Sequence, residues 1–335
     1  VTGPVTPQQQ AAIQAARAAN AHLPVAQSFQ QFKDNPTAYR LDESMLKNYV
    51  DQDGNTALVH CIRDSHALGV SRLLELGADP NLPAHRGVTP ISAASHKGDM
   101  VIMRELLMAG ARVNMVNSSG SSALIQASHF GHEEAVKLLI LFGAYVDFPN
   151  RKGTTALMRA SQEGHVAISQ LLIKYGANVN RRNNEGMNAL MLASQRGHAA
   201  MVALLIRSGA VVDAQTTQGS TALMLACKRG HEEVVKVLVS LGTEIHCKDS
   251  RGRTARETAV RRRHTSLLRW LDSQVQTRVI RMCLRRARSK LLMWLWSACN
   301  AVPRRAQEAA RVAERTFPHA RLEAMRATAS ATAAA

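Results

Sequence analysis

The chain has 335 residues, 46% of them hydrophobic but only 4% aromatic, so Ala, Leu, Val and Met must fill whatever core it builds. Five cysteines (Cys61, Cys227, Cys247, Cys283, Cys299) lie scattered and odd in number, which excludes a disulfide-dense scaffold and suits a reducing compartment. The net charge is +17, and +13 of it falls from Gly252 onward, so the basicity belongs mainly to the C-terminal quarter.

The opening stretch VTGPVTPQQQAAIQAARAAN lacks the apolar core of a secretory signal. An Ala/Gln-rich segment, partly helical or disordered, is expected over 1–40. Within 41–50, LDESMLKNYV suits the second helix of a degenerate N-terminal cap, with its partner helix near Gln27–Phe32.

From there a repeat takes over. Glycine recurs at Gly54, Gly87, Gly120, Gly153, Gly186, Gly219 and Gly252, always 33 residues apart. Such a period predicts a solenoid of stacked supersecondary units over 41–273. Two residues after each phase glycine stands a capping side chain: Thr56, Thr89, Ser122, Thr155, Asn188, Thr221 or Thr254. A short helix follows, with a large residue (Leu124, Leu157, Leu190, Leu223) and a small one (Ala127, Ala160, Ala193, Ala226). Gly98, Gly131, Gly164, Gly197 and Gly230 are expected to end it. A second helix begins at once. Glu133, Glu134, Glu232 and Glu233 favour its positive end, and stripes such as Val234, Val235, Val237, Leu238 and Leu241 are expected to face the core. Gly77, Gly110, Gly143, Gly176, Gly209 and Gly242 then suit left-handed C-caps.

The unit resembles the ankyrin repeat. The residues that carry the resemblance are GSTALMLACKRGHEEVVKVLVSLG and GVTPISAASHKGDMVIMRELLMAGARVN. Both show the phase glycine, the Thr-Ala/Pro-Leu-type opening and the Leu-Leu or Val-Leu pair of the second helix, and the first adds Gly-His. The resemblance covers about Asp51 to Ser273. It implies an all-α solenoid of about seven helix-turn-helix units with β-turn fingers, recognising proteins on its concave side. The end units depart from the pattern. Ser65 and Arg263 stand at glycine positions, Arg256 at a large apolar one, and Gly69 lies inside a second helix, which weakens it on propensity.

His66, His132, His165, His198, His231 and His264 share one repeat position and invite a metal reading. Neighbouring units would hold them roughly 10 Å apart, whereas metal ligands sit about 2 Å from the ion. They are read instead as helix-start residues that bond to nearby backbone. His246 and Cys247 have no second pair at ligand spacing. No glycine-rich phosphate loop, G-x-S-x-G elbow or H-E-x-x-H motif occurs. No catalytic, cofactor or metal residue is therefore expected, nor a small-molecule substrate, and the chain is read as a monomeric, non-enzymatic scaffold.

Binding would use positions that the fold leaves free. The ankyrin pattern places these on the fingers and on the end of the first helix. Carried across, they nominate Arg86, Lys97, His129, Phe130, Arg151, Lys152, Arg196, Lys228, Arg229 and Arg251 as protein-binding residues. Counting Arg63 as well, nine cations on these positions face four acids, Asp53, Asp64, Glu163 and Glu185. That excess would steer an acidic partner to this face.

Past Ser273 the period stops. A basic helical extension is expected over 274–328, continuing the stripe Leu267, Leu271, Val275, Val279 and Cys283, with a disordered tail over 329–335. Three readings compete for it: docking on the end of the solenoid, a peripheral membrane contact, or nuclear import with nucleic-acid binding. The candidate contacts for membrane or nucleic acid are Arg285, Arg286, Arg288, Lys290, Trp294 and Trp296, joined for nucleic acid by the RRRH tract Arg261–His264. The run LLMWLWSACNAV, Leu291–Val302, is too short to span a bilayer, which takes about 20 residues. Localisation is expected to be intracellular, cytoplasmic or nuclear, with a peripheral membrane association as an alternative.

Overall fold

A computed structural model of the chain describes residues 49–274. The segment expected over 1–40, nearly all of the cap helix and its partner, and the extension with Arg285, Arg286, Arg288, Lys290, Trp294 and Trp296 lie outside the described residues. By packing, the chain divides between Leu268 and Arg269. The first side of that divide holds the repeats.

The repeats are pairs of short helices. First helices are α1 (Ala57–Arg63), α3 (Pro90–Lys97), α5 (Ala123–Phe130), α7 (Ala156–Glu163), α9 (Ala189–Arg196), α11 (Ala222–Arg229) and α13 (Ala255–Arg261). Second helices are α2 (Ala67–Glu75), α4 (Met100–Met108), α6 (Glu133–Leu141), α8 (Val166–Lys174), α10 (Ala199–Arg207) and α12 (Glu232–Ser240). A further helical stretch covers 265–274. Each first helix packs on the next first helix and each second helix on the next second helix, so the pairs stand in two layers.

Local chemistry sets each boundary. All seven predicted capping side chains accept from the amide three residues on, as Thr155 does from Met158 and Asn188 from Met191. Thr89 and Thr254 go further and form capping boxes with Ser92 and Glu257. The five middle first helices end on a left-handed glycine, Gly164 for example at φ +83°. In the end units Ser65 and Arg263 hold the same left-handed backbone, at φ 56° and 60°, without glycine's freedom. The second helices close in Schellman turns: after α4, Gly110 donates to Leu107 and Ala111 to Leu106.

The core follows from the layering. In α9 six successive residues, Ala189–Ser194, are buried, because that helix has neighbours on three sides. In α10 only Met201, Val202 and Leu205 are buried, the inward stripe of a helix whose outer face meets water. Gly69 lies inside α2, as read from sequence, but its place is one of close approach: a Cβ there would stand 3.1 Å from both Cys61 Sγ and His66 Nδ1.

Three sets of hydrogen bonds seam one unit to the next. The finger backbones form a ladder, in which Arg151 N donates to Ser119 O, Asn184 N to Lys152 O, Thr217 N to Glu185 O and Ser250 N to Gln218 O. Except in the second unit, where Ala84 holds the position, each finger is itself folded by a side chain three residues before the phase glycine; Asn150 Oδ1 accepts from the amides of Lys152 and Thr154. At the other end of the unit, Asn114 Nδ2 donates to Gly143 O at 3.0 Å while its Oδ1 accepts from Tyr145 N at 2.8 Å. Asn81 and Asn180 do the same, and Asp147 and Asp213 accept from the amides of Asn178 and Glu244. The third seam is made by the histidines. His198 Nε2 donates to Gln162 O at 3.1 Å and His231 Nε2 to Gln195 O at 3.0 Å, each reaching back into the preceding unit's first helix. From His132 onward the row of imidazoles is thus a row of structural donors, while His66 Nδ1 accepts from Gly69 N.

Candidate protein-binding groove

The seams decide which side chains are free. Finger residues spend their backbone groups on the ladder, so Arg86, Arg151, Lys152 and Arg251 present exposed side chains. Facing them, Lys97, Phe130, Arg196, Lys228 and Arg229 are the exposed last residues of the first helices. His129 is half-buried. None of the eight cations among these ten positions makes an ion pair with a carboxylate among the described residues. Exposed pairs do occur elsewhere, such as Lys137 with Glu133 and Glu134 on α6. The groove's cations are therefore without carboxylate partners, whereas Arg72, Lys137 and Lys236 on the outer layer are paired locally.

Two sections of the groove differ in character. In units two to four Phe130, 41% exposed, lies edge-on to His96 with ring centroids 4.0 Å apart and to His129 at 4.7 Å, and stacks on His132 at 6.4 Å. Burial pushes the His96 and His129 imidazoles below their ordinary value. His132 and Lys97 add to this at His96. At His129 the Glu163 carboxylate, 3.6 Å from Nδ1, opposes it without reversing it. This section centres on an aromatic cluster, with Arg86, Lys97, Arg151 and Lys152 as the exposed cations around it.

In units five to seven the fingers and first helices enclose a cavity of about 510 Å³. Glu185, Thr217, Gln218 and Arg251 line it from the fingers, and Gln195, Lys228, Arg261 and Arg262 from the helices. Met187, Met224 and Leu225, all buried, line it as well. The cavity brings together Lys228 and Arg251 of the sequence-nominated residues; Arg86, Lys97, His129, Phe130, Arg151, Lys152, Arg196 and Arg229 do not line it. Sequence reasoning missed Arg261 and Arg262 as groove residues. They stand 33 residues after Lys228 and Arg229, a signal that was present, but the run RRRH reads more readily as a basic tract.

Arg253 also lines the cavity but is committed elsewhere, its Nη2 lying 2.6 Å from Asp249 Oδ2. Burial pushes the Asp249 carboxyl up, yet the Arg253 guanidinium and the amides of Arg253 and Arg251 outweigh it and hold it below the usual carboxylate range. Among the described residues no group of three or more His, Cys, Asp or Glu side chains could hold a metal ion. Burial pushes the Cys227 thiol up to about 12, which leaves it a small hydrophobe rather than a nucleophile.

Paired helices in two layers, seamed only to their neighbours, define a helical-repeat protein of the kind that presents one long face to a partner. A family model described as ankyrin repeats (three copies) matches the chain in overlapping stretches, 72–148, 91–183, 124–216 and 190–278. The chain belongs to the ankyrin-repeat family, whose repeats are generally protein–protein interaction modules. No curated protein matches the chain.

Proposed function

We propose that the chain is a non-enzymatic adaptor, acting as a monomer, that binds an acidic segment of a protein partner in the groove between the fingers and the first helices. The observation that carries this reading is the set of eight groove cations that lack carboxylate partners. A partner that supplies the missing charge gains steering and register at little desolvation cost. Phe130 offers the aromatic anchor that interfaces favour. Scattered thiols support an intracellular, cytoplasmic or nuclear site of action.

Pull-down from lysate with the full chain and with a Phe130→Ala/Arg196→Glu variant tests the reading. Both side chains are exposed, so the variant is expected to melt as the wild type does and to lose its main partner. Unchanged recovery of that partner would overturn the assignment of the groove. A second reading makes the chain a peripheral membrane or chromatin tether. It rests on the sequence beyond the repeats, where Arg285–Lys290 adjoins Trp294 and Trp296. Deleting 274–335 separates the two, since an adaptor keeps its main partner and a tether loses its location.

A further inference from the structure

We propose that units five to seven form the anchoring site for an extended protein segment with a glutamate at every third position. This deepens the acidic-partner reading and rests on it. The cavity there, about 510 Å³, lies within the range of about 300–1,000 Å³ usual for ligand sites. Its rim carries Lys228, Arg251, Arg261 and Arg262, all exposed and none paired with a carboxylate among the described residues. Glu185 is the opposing acid on the rim, since Asp249 is held by Arg253. The section around Phe130 also carries exposed cations, Arg86, Lys97, Arg151 and Lys152, but they do not line this cavity.

The spacing of these cations reads the partner. Lys228 and Arg261 occupy the same position on adjacent first helices, α11 and α13, which pack directly on each other. Packed helices stand about 8–10 Å apart. An extended chain of the polyproline type rises about 3.1 Å per residue with three residues per turn, so side chains at every third position share a face and lie about 9 Å apart. Two successive carboxylates, one per turn, therefore meet Lys228 and Arg261, and Gln195 stands at the same position one unit earlier. Arg262, the residue that caps the end of α13, and the finger residue Arg251 close on the same carboxylates from the sides. Met187, Met224 and Leu225 give the cavity an apolar wall for the methylene stems, which favours glutamate over aspartate.

Fluorescence anisotropy on the full chain tests this with a labelled twelve-residue peptide that has glutamate at every third position. Its isomer, with the same glutamates contiguous, serves as the control. The spaced peptide is expected to bind at least about tenfold tighter than the isomer. Lys228→Glu/Arg261→Glu/Arg262→Glu should remove that preference, and Arg151→Glu/Lys152→Glu should keep it. Arg261→Ala/Arg262→Ala, milder and fully exposed, gives the same readout if the charge reversals impair folding. Equal binding of the two isomers, or a preference lost only on Arg151→Glu/Lys152→Glu, overturns the anchoring site and leaves the acidic-partner reading standing. Tighter binding of a phosphoserine version, with the glutamate peptide unbound, overturns the carboxylate assignment. No binding of any acidic peptide at low salt overturns both.

Discussion

Gly164 answers two demands at once. Its φ of +83° is one that side chains rarely adopt, and a Cβ there would stand 2.7 Å from His198 Nδ1. That imidazole is held in place by its bond to Gln162 O. Alanine would be strained in the backbone by about 1–2 kcal/mol and would also displace a seam donor. Arg263 is the converse case, a left-handed residue at φ 60° that gains nothing from its side chain's Cβ. Urea denaturation is therefore expected to show Gly164→Ala destabilised by about 2 kcal/mol or more and Arg263→Gly stabilised by about 1 kcal/mol. A neutral Gly164→Ala would remove the interlock of glycine and histidine from this account. The capping hydroxyls and C-cap glycines were legible because their partners lie within a few residues. The carbonyl that each histidine from His132 onward seeks is 36 residues back, a distance that only the stacking of units creates.

A first helix and a second helix differ in how much of them is enclosed. The first helices α9 and α11 are buried nearly all round, with Ala, Leu, Met, Ser and Cys at their inner positions, whereas α13 at the end of the array buries only Ala255 and Ala259. The second helices depend on a narrow stripe. Leu205 is the innermost residue of the stripe on α10 and is fully buried. Leu205→Ala should cost roughly 2–5 kcal/mol, read as a shifted denaturation midpoint; a midpoint shifted by much less would mean that the stripe faces another way. Helix periodicity made this face readable in the sequence. The Asn and Asp bridges were not read, although Asn81, Asn114, Asp147, Asn180 and Asp213 recur at the repeat interval. They sit in a polar turn, where such residues are common for purely local reasons, so nothing local marks them as cross-unit donors and acceptors. Gly69 misleads in the opposite sense. It lowers helix propensity, yet it also gives room where a Cβ would crowd Cys61 and His66.

Across the whole array, contacts run only between neighbours in the stack, so stability should be shared locally. Leu73 belongs to the first unit and Leu172 to the fourth, and both are fully buried. In hydrogen exchange, Leu73→Ala is expected to release protection in the first unit and spare the middle. Leu172→Ala should weaken units on both sides of it. Equal, global loss of protection in both variants would show a cooperative core in place of a chain of nearest neighbours. The array was legible at this scale because a fixed period imposes fixed contacts. The groove's chemistry was legible only in part. Lys228 and Arg251 were named from their repeat positions, while Arg261 and Arg262 were hidden in a run of arginines at the array's last helix.

The finger ladder joins every pair of adjoining fingers from unit two onward by the same backbone bond, and that sameness governs how such a protein can change over generations. Excising or duplicating one complete module in frame presents the surviving edges to each other in the pattern they already had. The binding face can thus grow or shrink by whole steps, whereas a one-residue slip would break the joint at which it falls.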